Sequence, residues 1–514
     1  MDDRSGLTDA ERPRVEVRRL PGAPDLAALA DGTEDVVWLD SGLPDGTPDT
    51  ARARAAWSVL ACTDGPFAAR LRHERRRARV DVSAASRAWF GSDRSSDAPA
   101  FAVLDDLLAR TPRLPEPVRG CGFALGWVGF LGYELGRESG GPDRTADGHA
   151  DADLRFVDRA VVVGPDGGAW ALALAVDTEP AASAANRAWL EEVTVPPTRA
   201  DVAEVTVPPT RADVAEVPPG LPAVAAAGRV TRAAYEAAVE ACRGEIREGN
   251  AFQVCLTTAF AVPGLEARVV PGTDAHLAEY LRLRAADPVP FGAYLRLGAL
   301  RVASRSPERF LRITADGVVT AEPIKGTRRR VADPEVDAAA RADLATSAKD
   351  RAENVMIVDL LRNDLLRTAV PGSVHVDRLC AVETYASVHQ LVSTVSAVLP
   401  VGASRAATVR AAFPPGSMTG APKSSATAIA DRLEAAPRGV YSGAVGYFSA
   451  SGAVDLSVVI RTLVTVLDED GRVVSRTLGA GGAVTWSSVP ADEADEVETK
   501  TRSVLGGVGA VARW

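Results

Sequence analysis

The chain has 514 residues, 46% apolar and 25% charged, enough for a large core and unlike a disordered, collagenous or disulfide-scaffold protein. Its 58 basic and 68 acidic residues give a formal charge of −10. That balance argues against a broad nucleic-acid or anionic-membrane surface, yet leaves room for a local basic pocket that takes a small anion.

The opening run, MDDRSGLTDAERPR, is charged and acidic, the opposite of a secretory leader. Cys62, Cys121, Cys242, Cys255 and Cys380 are scattered without a CxxC or metal-ligand spacing, so reduced, structural thiols in a cytoplasmic protein are expected. The longest uncharged run, 384–404, carries His, Gln, Pro and several hydroxyls and is no membrane span. Only four of the basic residues are lysine: Lys325, Lys349, Lys423 and Lys500. Lysine can act as a neutral amine and arginine cannot, so chemistry is expected in the last 190 residues, where all four fall.

Residues 30–180 alternate short β-rich runs (VVWLD, FALGWVGFLGY, LRFVDRAVVVG) with Ala/Arg-rich helical stretches, and Gly120 to Gly136 reads as a packed strand pair. EVTVPPTRADVA occurs at 192–203 and again, letter for letter, at 204–215; two copies with Pro-Pro pairs predict an extended linker, not a solenoid. A helix follows, with Tyr235, Val239, Cys242 and Ile246 on one face and Gly249 at its end. The strand FQVCLTTAF, a helix near 277–286 and hairpins turning at Leu297-Gly298 and Asp316-Gly317 come next. One long helical region is predicted over about 334–366 and another helix near 424–434. Strands then turn at Ser451-Gly452 and Asp470-Gly471, a Gly-rich turn spans Gly479 to Gly482, and a last helix begins near Pro490. Strand runs with hairpin turns, interrupted by helices, predict an α+β fold with mainly antiparallel sheet.

Glu493, Glu496 and Lys500 fall on one face of the last helix, and Asp350 and Glu353 on one face of an earlier one. Such spacings occur in ordinary solvated ion pairs; two helical carboxylate pairs can also converge on Mg2+, which takes oxygen ligands and keeps waters. Arg461 reads as lying inside a strand with no acid nearer than Asp455, so it needs an anionic partner, structural or ligand-borne. The GAGG turn at 479–482 offers backbone N–H groups to an anion. FPPGSMTGAPKSS at 413–425 is not a phosphate loop, because Lys423 does not follow the required glycine.

Taken in order, EPIKGTRR (322–329), KDRAENVMIVDLLRNDL (349–365), FPPGSMTGAPK (413–423), SGAVGYF (442–448), VVIRTL (458–463) and GAGGAV (479–484) resemble the chorismate-utilising enzymes. That family includes anthranilate synthase component I, aminodeoxychorismate synthase component I, and the isochorismate and salicylate synthases. A looser match covers WLDS at 38–41 and GFLGYELG at 129–136. The resemblance implies two large antiparallel sheets in a sandwich with flanking helices, built from both halves of the chain. An N-terminal subdomain (1–190) and a catalytic chorismate-binding region (223–514) are then separated by an insertion at 191–222.

The resemblance also implies a site. Glu353 and Glu496 match direct Mg2+ ligands, with Asp350 and Glu493 in an outer shell that acts through water. Tyr441, Arg461, Ala480, Gly481, Gly482 and Lys500 match groups that bind the substrate carboxylates, with Thr419, Lys423 and Gln253 also on the substrate side. Glu308, in SPER, matches the general acid that protonates the departing ring 4-hydroxyl.

Two positions sort the members. Water-adding relatives have a lysine where this chain has Gln253, whose amide is not basic. Anthranilate synthases resemble PIAGT, whereas PIKGT, with Lys325, is the pattern of aminodeoxychorismate synthases, in which the lysine attacks C2 as a neutral amine. AEN at 352–354 and SMTG at 417–420 point the same way. Departures are Gln390 before LVS, with His389 one place earlier, and Ala483 and Ser487 where Gly and Asp are common. The effector pocket of anthranilate synthases maps near Ser41.

The implied activity is synthesis of 4-amino-4-deoxychorismate from chorismate for 4-aminobenzoate and folate. Mg2+ is the expected cofactor, and a glutamine amidotransferase is the partner that supplies ammonia. The alternatives are anthranilate synthase component I, an aminodeoxyisochorismate-forming enzyme, and an inactive regulatory subunit.

Overall fold

In a computed structural model of the chain, residues 12–22, 24–42, 57–146, 148–194, 224–264, 274–385 and 388–514 are described. All but the first three residues of the duplicated 12-mer lie outside them.

Hairpins form where apolar runs end in glycine: Gly298, at φ 56°, turns Phe291–Leu297 into Leu300–Ser306. The strands assemble into two sheets. In the first, Arg14–Arg19, Ala169–Ala175, Arg159–Val163, Ser58–Cys62 and Val36–Asp40 come from the N-terminal half. They continue into Phe291–Leu297, Leu300–Ser306, Thr462–Leu467, Val473–Val484, Gln253–Ala261, Val224–Gly228 and Ala510–Arg513. The two halves join where Trp38 pairs Tyr294.

The second sheet runs from Ile324–Arg329 through Val388–Val398, Val318–Ala321, Arg309–Ile313, Val454–Val458 and Ala444–Ser449 into the N-terminal strands Gly126–Leu131, Ala152–Val157, Ala69–Glu74, Arg77–Val82 and Arg94–Ser96. Only Val224–Gly228 with Ala510–Arg513 is a parallel pair among the described strands. One apolar cluster, with Val37, Val302, Leu71, Trp127 and Leu456, fills the space between the sheets. A second packs the outer face of the first sheet against helices Arg232–Arg247, Ala275–Ala286, Lys423–Glu434 and Pro490–Gly507. The architecture is the expected α+β sandwich, with each sheet built from both halves of the chain.

Four local readings change. The region 334–366 is two helices, Pro334–Thr346 and Ala348–Leu366, broken at Ser347, whose hydroxyl caps the second by accepting from the Asp350 N–H. The run from Gly120 to Gly136 holds one strand, Gly126–Leu131, followed by the 3-10 segment Tyr133–Ser139. Gly479 to Gly482 is no turn: it is the interior of Val473–Val484, where Gly482 pairs Leu256 and Gly481 pairs Thr257. Arg461 lies between Val454–Val458 and Thr462–Leu467, at φ 50°, where the chain passes from one sheet to the other.

Candidate active site

Lys325 sits on the edge strand of the second sheet, opposite Leu391. Cross-strand partners share a face, and Leu391 packs with Leu344 of the helix Pro334–Thr346. The lysine therefore faces the helices. A bulge follows it, and Gly326 (φ 77°) occupies the one place where a Cβ would strike both Asp350 and Leu344, at 2.8 Å each. The glycine of PIKGT thus lets this strand touch the start of Ala348–Leu366. The Lys325 ammonium has no hydrogen-bond or ion-pair partner among the described residues, and its charge acts on both Glu353 and Glu496.

Glu353 comes from Ala348–Leu366, and Glu493 and Glu496 from Pro490–Gly507. Burial pushes the Glu353 carboxyl above its ordinary range; Glu496 and Asp350 add to this, while Lys325 and Lys349 oppose it. Glu493 is also raised by burial, despite the hydrogen bond it accepts from Ser488 at 2.7 Å. For Glu496, burial is outweighed by Lys500, whose ammonium lies 2.7 Å away, and its pKa falls. The same contact raises Lys500 against its own burial. Asp350 turns partly aside, accepting from Arg328 at 2.9 Å.

The glycine-rich strand supplies the other wall. The Thr257 N–H donates to Glu434 and the Cys255 N–H to the Thr419 carbonyl, so their partners Gly481 and Ala483 turn their own N–H and C=O away from Gln253–Ala261. The strand Thr462–Leu467 begins too late to cover them, since its pairing reaches no further than Leu478. The Gly481 carbonyl accepts from Lys500 at 2.8 Å, and the Gly481 N–H faces the same open edge. Glycine is demanded on both faces: a Cβ on Gly479 would enter the Tyr441 ring at 2.3 Å, and one on Gly482 would meet Glu493 Oε2 at 2.7 Å. Gln253 is fully buried with both amide atoms unpartnered among the described residues; Ser417 Oγ, Thr258 Oγ1 and Glu493 Oε2 are likewise unpartnered. They lie on both faces of the strand: Gln253 on the side of Gly479 and Tyr441, Thr258 on the side of Gly482 and Glu493, and buried polar groups of this kind are satisfied by water or a polar ligand.

Glu308 and Arg461 stand at neighbouring crossovers between the sheets. The Val458 N–H donates to the Glu308 carbonyl at 3.0 Å and the Arg305 N–H to the Arg461 carbonyl at 3.1 Å. The Glu308 side chain is buried; Arg461, about one-third exposed, has an acid that the sequence did not suggest, Asp287, at 3.9 Å. Thr419 is buried and its hydroxyl donates to the Gly416 carbonyl.

Lys423 is differently employed. Its ammonium donates to Asp364 and to the Ala412 and Pro414 carbonyls at 2.6–3.0 Å, so all three donors are used within the protein. His389 is held between Asp337 and Thr384. Sequence reasoning missed Lys349, 3.9 Å from Glu493, although it was one of only four lysines. It also missed Arg438, Glu434 and Glu134, for which one arginine among 54 and two ordinary glutamates gave no signal.

Among the described residues, no three His, Cys, Asp or Glu side chains are grouped closely enough to hold a metal ion by themselves. The donors are nonetheless hard carboxylate oxygens from two facing helices, and Glu493 Oε2 is buried without a partner. That chemistry fits Mg2+, which needs only one or two carboxylates and completes its shell with water and substrate oxygens. A separate cavity of about 230 Å3 lies between the sheets at Ser41, lined also by Asp40, Arg309, Tyr447 and Asp455.

The family model described as chorismate binding enzyme matches residues 67–506. An aminodeoxychorismate synthase of Streptomyces pristinaespiralis is 41% identical over 96% of this chain and 65% of its own length. That of Streptomyces griseus is 42% identical over 96% of this chain and 64% of its own. The chain thus spans just under two thirds of those relatives. Aminodeoxychorismate synthase component 1 of Klebsiella aerogenes is 36% identical over 80% of this chain and 83% of its own. Among solved structures, anthranilate synthase component I of Streptococcus pneumoniae superposes with a TM-score of 0.67 at 24% identity, over 88% of this chain and 92% of that one. The menaquinone-specific isochorismate synthase of Escherichia coli gives 0.62 at 15% identity, over 96% and 95%. These two likenesses show the fold.

Proposed function

The chain belongs to the chorismate-binding enzyme family, and from that premise we propose that it is the synthase part of an aminodeoxychorismate synthase. In this reading it converts chorismate and ammonia into 4-amino-4-deoxychorismate. The observation that carries the proposal is Lys325: an amine on an edge strand without a partner among the described residues, its charge acting on Glu353 and Glu496, in a chain with only three other lysines.

Lys325 Nζ attacks C2 of the ring, the two ring double bonds shift, and the 4-hydroxyl leaves as water with a proton from Glu308. Ammonia then adds at C4, the double bonds shift back, and the C2–N bond to Lys325 breaks, returning the amine. Each displacement exchanges one leaving group for one nucleophile, so no oxidant or reductant is required. The open edge at Gly481, together with Tyr441 and Arg461, serves the substrate carboxylates, and buried Gln253 lacks the basicity to activate water as a competing nucleophile. Glu353 and Glu496 would hold Mg2+, with Glu493 and Asp350 behind them, and the ion would neutralise the ring carboxylate. Ammonia comes from a glutamine amidotransferase, consistent with relatives named as component 1 and with Streptomyces relatives half as long again as this chain.

The test is the product formed from chorismate, Mg2+ and ammonium. The expected product is 4-amino-4-deoxychorismate, with glutamine inactive until an amidotransferase is added. Fluorescent anthranilate would assign the chain to amination at C2, and no product in the presence of ammonium would make it a non-catalytic member.

A further inference from the structure

The motif GFLGYELG, in the N-terminal half, ends in a buried carboxylate that the chemistry does not use. Glu134 accepts from two consecutive backbone amides some 300 residues away, Arg438 N–H at 2.6 Å and Gly439 N–H at 3.0 Å. The Arg438 guanidinium, over the Tyr133 ring at 4.2 Å, then reaches three site-forming segments. It donates to the Met418 carbonyl beside Thr419 (2.7 Å), to the Cys255 carbonyl on the strand of Gln253 (2.8 Å), and to Glu434 (2.7 and 2.9 Å). Glu434 in turn takes the Thr257 N–H, the contact that leaves Gly481 facing the open edge. Two residues past Gly439 stands Tyr441, against Gly479.

We propose that Glu134 is a positioning residue for substrate binding: while ionised, it fixes the 438–442 turn and, through Arg438, the edge of the glycine-rich strand. An anionic carboxylate offers an acceptor to each amide. A protonated one keeps its full acceptor strength on one oxygen only; the hydroxyl oxygen accepts weakly, so the bond to one amide weakens. Burial raises Glu134 to about 7 against the pull of both amides, and Asp151 adds to the rise. Of the other charged groups around it, Arg438 is committed to Glu434, Arg137 to Asp151 and Arg144 to Asp431. Two imidazoles also lie close, His149 against Gly439 and His73 at 3.3 Å from Asp151; both are present in wild type and in a Glu134 variant alike, so their comparison isolates Glu134. The turn therefore tightens as pH rises from 6 to 8.

The inference rests on the proposed reading of Tyr441 and Gly481 as substrate-binding groups, and the test separates the two. Wild type and Glu134→Gln, which keeps the shape but offers only one acceptor oxygen, are compared between pH 6 and 8. With chorismate as the probe, the wild-type KM is expected to fall about fivefold across that range, the effect of one hydrogen bond strengthened. Glu134→Gln should keep the high value throughout, with kcat at saturation within about twofold of wild type. Independently of substrate, amide exchange in the 437–443 peptide, corrected for its intrinsic pH dependence, should slow about fivefold in wild type and not in the variant. If wild type neither binds nor turns over chorismate, the functional reading fails while the exchange measurement still decides the inference. Equal KM and equal exchange in both proteins overturn it. Should Glu134→Gln not fold, a flat wild-type exchange profile across pH 7 overturns it alone.

Discussion

Replacing Lys423 by Met decides whether that lysine belongs to the substrate or to the fold. Its ammonium spends its donors on Asp364 and two carbonyls, and both charged side chains are largely buried. Burial lowers the Lys423 pKa and raises that of Asp364, and in each case the partner opposes the shift. Methionine fills the space but leaves Asp364 as a buried charge without its counter-ion, a loss of about 3–5 kcal/mol. For 514 residues unfolding together, at about 2.1 cal/mol/K per residue, the unfolding entropy is about 1.1 kcal/mol/K, so Tm should drop by about 3–5 °C. The double variant Lys423→Met, Asp364→Asn should recover part of that loss, since no charge is left stranded. Differential scanning calorimetry gives the shift, and steady-state kinetics with chorismate should show KM within about twofold of wild type. An unchanged Tm with KM raised tenfold or more would refute the assignment and return Lys423 to the substrate.

Withholding ammonia should leave chorismate minus one water on the peptide containing Lys325, seen by mass spectrometry; Lys325→Arg should abolish both the adduct and amination, because guanidinium keeps its charge. Glu353→Gln and Glu496→Gln should each lower Mg2+ affinity at least tenfold by titration calorimetry while leaving Tm within about 2 °C, since each removes one negative charge from a hard-cation site. Gly479→Ala drives a methyl into the Tyr441 ring and should cost about 1–3 kcal/mol of stability as well as raising KM. Gly482→Ala, whose methyl meets Glu493 Oε2, should instead weaken Mg2+ binding, which calorimetry separates from the first.

Some of this was legible in the sequence because it depends on local spacing. The hairpin glycines, the amphipathic helix with Tyr235, Val239 and Cys242 buried, and the paired carboxylates on two helices all follow from period and turn chemistry. What failed did so for a nameable reason. GAGG reads as a turn because glycine usually bends chains, yet here the glycines make room: Tyr441 and Glu493 press on the strand from opposite faces. Arg461 reads as mid-strand because the rest of VVIRTLVTV is β-branched or apolar, but the chain is changing sheets there, and a crossover between two buried strands has the same composition as a strand.

The long-range part was beyond local reading for a different reason. Glu134 meets Arg438 across the middle of the chain, and nothing near either residue shows which of 54 arginines will be among the buried ones. Buried charge is expensive unless fully paired. The fold meets that requirement by giving Arg438 a carboxylate and two carbonyls from three segments around the candidate site, and an aromatic face from Tyr133. The interleaving of the halves then has a consequence for mechanism. The strand and turn proposed to meet the substrate come from the C-terminal half, but the carboxylate that accepts from the turn's amides comes from the N-terminal half, so the C-terminal half alone would carry Lys325, Glu353 and Glu496 without that contact.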